Sequence, residues 1–122
     1  MSYFKPHKYH AKRTAVDGVS FPSKAEARRY LELLLLLRGK CINGFCRQVP
    51  FMLGCPENIY RVDFLVFYSD SVQAEDVKGM ETPTFKKNKR LWAKYGPCSL
   101  KLLKASGTKW KTETITPSVE VE

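Results

Sequence analysis

No apolar run in this chain approaches the roughly 18 residues that span a bilayer; the leucine run Leu33 to Leu37 is only five residues long. No membrane span is expected. No hydrophobic segment follows the basic residues at the N-terminus, so a secretory signal is not expected either, and a cytoplasmic location is the default. Cysteine is sparse and poorly spaced for metal. Cys41, Cys46, Cys55 and Cys98 contain no Cys-x-x-Cys pair, and neither His7 nor His10 stands close to one of them. Reduced thiols packing mostly as small hydrophobes are therefore expected, with a zinc site completed by distant ligands as the alternative. Acid is also in short supply: 12 Asp and Glu face 21 Lys and Arg, a net charge of +9. Such an excess favours a polyanionic partner, nucleic acid before an anionic membrane surface. Internal repeats and low-complexity blocks are missing. With 122 residues, 43% of them hydrophobic, the chain suits one globular domain.

Against that background one stretch stands out. Tyr60 to Tyr68 is almost entirely β-branched or aromatic, yet Asp63 interrupts it. Ser69-Asp70-Ser71 makes a polar turn, and a second strand-like run, Val72 to Lys78, ends in Glu75-Asp76-Val77-Lys78. Alternate residues of a strand share a face, so Asp76 and Lys78 project together and Glu75 points away unless a bulge intervenes. A hairpin across the turn brings Asp63 beside that pair. Two carboxylates and an ammonium group in apolar strands suggest a metal site.

Upstream, residues 1–13 form a basic arm in which Lys5, Lys8, Lys12 and Arg13 alternate with aromatics; such arms lie along phosphates or fray. Asp17-Gly18 between short β-prone runs predicts a small hairpin. Pro22-Ser23-Lys24-Ala25-Glu26 is a capping box, and a helix is expected from Ser23 to about Arg38, stopped by Gly39. Its inward stripe is Glu26, Tyr30, Leu33 and Leu37, with Arg28, Arg29 and Glu32 grouped on the polar side. Glu26 is either a capping residue reaching water or an acid aimed into the core, where it needs a partner. Leu35 and Leu36 fall toward the polar side, suited to a dimer contact or a second layer of the same domain. Cys41 to Leu53 reads as a strand, interrupted by Arg47 and Gln48, with Pro50 marking an edge or bulge.

Downstream, Thr82 and Pro83 open a second helix that Gly96-Pro97 closes. Phe85, Asn88, Leu91, Trp92 and Tyr95 form its stripe; Lys86, Lys87, Lys89, Arg90 and Lys94 occupy the rest with no acid among them, a face suited to phosphates. Ser99 to Lys104 is a further strand, and Lys109 to Ile115 an edge strand. The expected fold is α/β: a mixed central sheet of about four to five strands, two main helices and a short N-terminal hairpin. Residues 14–115 are the domain, and 116–122 an acidic tail.

Metal-assisted phosphodiester hydrolysis needs hard oxygen ligands for Mg²⁺ or Mn²⁺, a cation to steady charge, and a basic surface to align the strand. Asp63 and Asp76, with the Val77 carbonyl, suit the first, Lys78 the second, the basic helix and arm the third. Glu26 is placed to hold the same ion or a second one. At these residues the chain resembles the PD-(D/E)XK nuclease superfamily. More closely, KYHAKRTAVDGVSFPSKAEARRYLELLLL, RQVPF, YRVDFLVF and EDVKGMETPTFKKNKRLW are similar to a family of small phage and prophage proteins that resembles Holliday-junction resolvases. The resemblance covers roughly residues 8 to 104. It implies Glu26, Asp63, Asp76 and Lys78 as the active site, Gln48 as an auxiliary residue, and a restriction-endonuclease-like core. It further implies a Mg²⁺-dependent endonuclease for branched or structured DNA, acting as a homodimer in a bacterial host. Val62 stands where the superfamily commonly has proline. The alternatives are a non-catalytic nucleic-acid-binding module on the same scaffold, or an exonuclease or nickase of the superfamily.

Overall fold

The computed structural model describes residues 14–16 and 18–118. The basic arm, with Lys5, Lys8, Lys12 and Arg13, Asp17, and the last four residues of the tail lie outside the described residues. Two short strands, β1 (Thr14–Val16) and β2 (Val19–Phe21), pair antiparallel as a separate two-stranded sheet. Gly18 takes the positive φ of 77° that this tight connection requires. Helix α1 (Lys24–Arg38) follows, with the Ser23 side chain accepting from the Glu26 backbone N–H at its start and Gly39 as C-cap. Gly39 itself keeps φ at −77°; the left-handed step out of the helix falls on Lys40, φ 59°.

The main sheet has five strands in the order β3 (Gly44–Met52), β4 (Ile59–Phe67), β5 (Val72–Val77), β6 (Ser99–Ser106) and β7 (Lys109–Ile115). All neighbours are antiparallel except β5 and β6, which are parallel and joined by helix α2 (Pro83–Tyr95). A parallel pair cannot be closed by a tight turn, so the helix is the crossover. Thr82 caps α2 through a bond from the Phe85 N–H, and the Gly96 N–H closes it on the Trp92 carbonyl. The architecture is thus α/β, with a mixed five-stranded sheet, two helices and the N-terminal hairpin.

Each helix covers one face of the sheet. α1 places Leu33 against Ile42, Phe64 and Val66; α2 places Phe85 and Trp92 against Leu53, Tyr60, Val62, Ala74, Leu100 and Leu102. Trp92 is fully buried and its indole N–H donates to the Cys98 carbonyl at 2.7 Å. α1 is also tied down by polar contacts. Arg29 grips the fully buried Glu75 with two bonds of 2.7 Å, and the Trp110 indole of β7 donates to Glu32 at 2.8 Å.

Three expectations need correction. Arg29 does not sit on the polar side of α1: three residues from Glu26, it shares the inward stripe, because Glu75 on β5 draws its guanidinium onto the sheet. Leu37, placed on the inward stripe, is 37% exposed, and Leu36, placed toward the polar side, packs instead against the cluster of Leu33, Ile42, Phe64 and Val66, three residues on from Leu33 on the same stripe. All four cysteines are free, but Cys41, Cys46 and Cys55 are exposed rather than packed; they lie in the loops and on the edge strand β3, where the core does not reach.

The central irregularity is in β4. Tyr60, Val62, Phe64 and Val66 have one parity, so a regular strand would point them to one face. Instead Tyr60 and Val62 face α2 while Phe64 and Val66 face α1. β3 switches at the same level: Val49 and Phe51 pack toward α2, Phe45 toward α1. The pairing runs Arg47 to Phe64 and resumes at Val49 to Val62 without losing register, leaving Gln48 and Asp63 facing each other unpaired. Gln48 absorbs the change with φ 53°, a left-handed conformation costly for a residue with a Cβ.

Candidate active site

The candidate site residues gather where that switch of faces meets the end of β5. Ser23 anchors the first turn of α1, which carries Glu26 inward; Glu26 is only 4% exposed. The Gln48 amide stands between two acids, donating to Asp63 Oδ1 at 3.2 Å and to Glu26 Oε2 at 3.4 Å. Arg47 approaches Glu26 at 3.8 Å, its guanidinium lying 4.3 Å from the centre of the Phe21 ring of the hairpin. The small N-terminal sheet thereby helps hold the acidic side of the site.

Asp63 and Asp76 are interlocked through the backbone. Asp63 Oδ2 accepts from the Val77 N–H at 2.8 Å, while the Asp63 N–H donates to Asp76 Oδ1 at 3.2 Å. Asp76 Oδ2 accepts from the Tyr60 hydroxyl and pairs with Lys78 Nζ at 2.8 Å. Lys78 lies 4.1 Å from the centre of the Phe85 ring, so a core residue of α2 positions the ammonium group. Glu75 points away to Arg29, as strand alternation requires of the residue next to Asp76.

The electrostatics are those of crowded carboxylates. Burial, then the charge of Asp76 and to a lesser degree that of Glu26, pushes the Asp63 carboxyl up to about 9. Burial and the neighbouring Asp76 likewise drive the Tyr60 hydroxyl well above its usual range, so it stays a proton donor to Asp76.

The site opens into a groove of about 850 Å³ whose lining includes Glu26, Tyr60, Asp63, Asp76 and Lys78. Its other cations are Arg61 and Lys104, and Asn88 is the residue that α2 proper contributes. The α2 lysine face is therefore not the wall of the groove. Lys86, Lys87, Arg90 and Lys94 are exposed on α2 without lining it, and Lys89 is held by Glu81 at 3.4 Å and Glu113 at 3.1 Å. Those two acids lie outside α2, Glu81 in the loop before it and Glu113 on β7, which is why the helix alone reads as acid-free.

Glu26, Gln48, Asp63, Asp76 and Lys78 are thus brought together. Tyr60, Arg47, Arg61 and Lys104 complete the surroundings without having been singled out by sequence. Lys104 had a signal: in the parallel pairing Asp76 stands beside Leu102 and Val77 beside Leu103, so the next step sets Lys104 beside Lys78. Tyr60 had none, because its approach to Asp76 depends on the switch of faces at Asp63.

The donor set suits a hard divalent cation: oxygen ligands only, buried, with carboxylate charge that repels itself. Asp63 and Asp76 are the residues that fit. Glu26 is a side chain further off, linked to Asp63 through Gln48, and among the described residues no three His, Cys, Asp or Glu converge on one point.

Residues 6–111 match the family described as "Protein of unknown function (DUF1064)", and the chain belongs to that family. No curated protein gives a significant match. A solved structure described as "Crystal structure of SSO0001" is similar at 13% identity and a TM-score of 0.39, over 77% of this chain and 50% of that one. The chain spans half the length of that neighbour. Among the described residues no helix is long and apolar enough to cross a membrane.

Proposed function

We propose that this protein is a Mg²⁺- or Mn²⁺-dependent endodeoxyribonuclease of the PD-(D/E)XK type that cuts branched or structured DNA. The observation that carries this reading is the junction of Asp63 on β4, Asp76 on β5 and Lys78 just past the end of β5, within one open groove, with Glu26 joined to them by Gln48. Asp63 and Asp76 would hold the ion. When bound, such an ion supplies charge against the phosphate oxygens and makes water acidic enough to attack near neutral pH.

The chain's own groups do the rest. Lys78, steadied by Asp76 and the Phe85 ring, donates to the oxygens that gain charge in the transition state. Tyr60 fixes Asp76 so that its other oxygen is oriented. Gln48 holds Asp63 and Glu26 at a set separation, so that Glu26 accepts a proton or orders a water inside the groove. Arg61 and Lys104 attract the DNA backbone. Symmetric cutting of a four-way junction calls for a two-fold dimer, and Leu31 and Leu35, 43% and 64% exposed on α1, offer it an apolar face.

One observation favours a non-catalytic binding module instead: each oxygen of Asp63 and Asp76 already accepts a hydrogen bond from the protein. Cleavage decides between them. End-labelled four-way, linear and circular DNA incubated with Mg²⁺ or Mn²⁺ should be cut within the junction, and Asp63→Ala or Lys78→Ala should abolish cutting while binding persists. Binding without cutting under every metal and pH condition supports the module; progressive shortening from ends indicates an exonuclease.

A further inference from the structure

Beside the groove lies a second, smaller cavity of about 260 Å³, which shares Lys78, Gly79, Met80 and Lys104 with it. Its far side is formed by β7, where Lys111 enters the lining. Lys104 and Lys111 are direct partners in the β6–β7 register. Like charges placed opposite each other across two strands repel, and a sheet gains nothing structural from them. Neither lysine forms an ion pair among the described residues. The two acids of the same cavity, Glu81 and Glu113, are both engaged by Lys89. The cavity thus keeps two uncompensated ammonium groups next to the site, and its inner wall is apolar, from Phe85, Leu102 and Leu103.

We propose that Lys104 and Lys111 form a second phosphate subsite, which holds the DNA backbone beside the phosphate presented to Asp63, Asp76 and Lys78. A phosphate between the two lysines relieves their repulsion, and the strand is led out of the groove across the β6–β7 hairpin rather than along α2. This rests on the nucleic-acid reading above and names the route of the strand.

The test is fluorescence anisotropy with a labelled single-stranded oligonucleotide in EDTA, over a series of salt concentrations, using the full chain. Lys104→Ala with Lys111→Ala should weaken binding about tenfold at low salt and lower the slope of log affinity against log salt by about 1.4, as loss of two single-strand phosphate contacts requires. Lys101→Ala with Lys109→Ala removes the same charge from the same hairpin outside both cavities and should change affinity less than threefold. If the two double variants lose equally, only net charge is at work and the subsite is overturned. If the native chain binds and the Lys104/Lys111 variant keeps its full affinity and slope, the subsite alone falls. A native chain that binds neither this oligonucleotide nor a labelled four-way junction brings down the nuclease reading with it.

Discussion

In the proposed reaction Asp63 and Asp76 set the chemistry, and their crowding makes the pair sensitive to pH. The Asp63 carboxyl rises from 3.8 to about 9 on folding, through burial and then the neighbouring Asp76. Between those values the folded chain holds a proton that the unfolded chain has lost. Its contribution to stability is therefore complete below about 4 and declines as pH rises through about 9. Urea melts in EDTA should show stability falling across that window, by at most about 1.4 kcal/mol per pH unit, and Asp63→Asn should flatten the profile. A metal that binds the ionised form must displace that proton, so metal affinity should increase with pH over the same window. Tyr60→Phe removes the hydroxyl that steadies Asp76; an activity loss of about tenfold, in kcat more than in KM, follows from one hydrogen bond to a charged group. The adjacent acids separate by function: Glu75→Ala leaves Arg29 with Glu32 alone and should destabilise by about 1–3 kcal/mol while sparing activity, whereas Asp76→Ala should remove activity.

At the scale of elements, the site depends on two strands changing face together. The strain is local to Gln48, whose φ of 53° is far from β geometry. Gln48→Gly should relieve about 1 kcal/mol of backbone strain while deleting the amide that joins Glu26 to Asp63. It should therefore melt no lower than the native protein and be less active. Gln48→Ala deletes the amide but keeps the strain, and should melt lower than the glycine variant. A different close approach fixes α2: Gly54 has φ 84°, and a Cβ there would meet the Tyr95 ring at 2.5 Å. Gly54→Ala should cost about 1–3 kcal/mol without touching the chemistry, which thermal melts and cleavage rates measured side by side will separate. Most of this layer was legible in sequence. Capping at Ser23 and Thr82 is local chemistry, and so is the positive φ of Gly18 between β1 and β2. The alternation that chose Asp76 over Glu75 holds because β5 is regular. The same rule misleads on β4, where parity gives one face and the structure gives two. That departure is set by packing against both helices at once, which no single strand encodes.

For the whole molecule, sequence composition gives the excess of positive charge but not its placement. α2 looked acid-free because Glu81 and Glu113 come from outside the helix, and the cations that line the groove, Arg61 and Lys104, are scattered singly along β4 and β6. The candidate site sits where the first turn of α1, Phe21 of the hairpin beside Arg47, and the start of α2 approach the sheet. In the proposed reaction the +9 charge of the chain draws the DNA and the few cations that face the groove align it. Binding should therefore weaken steeply with salt, whereas the intrinsic cleavage of already bound DNA should not. The most direct test of the account is a single-turnover cleavage assay on a labelled four-way junction with Mg²⁺ or Mn²⁺, comparing the native chain with Asp76→Asn and Lys78→Ala at protein concentrations that saturate binding. Paired cuts near the branch point are expected from the native chain, none in EDTA, and cutting slower by about a hundred- to a thousandfold in either variant, the loss that follows removal of one charge-stabilising group. Cutting by Asp76→Asn at the native rate would contradict the account.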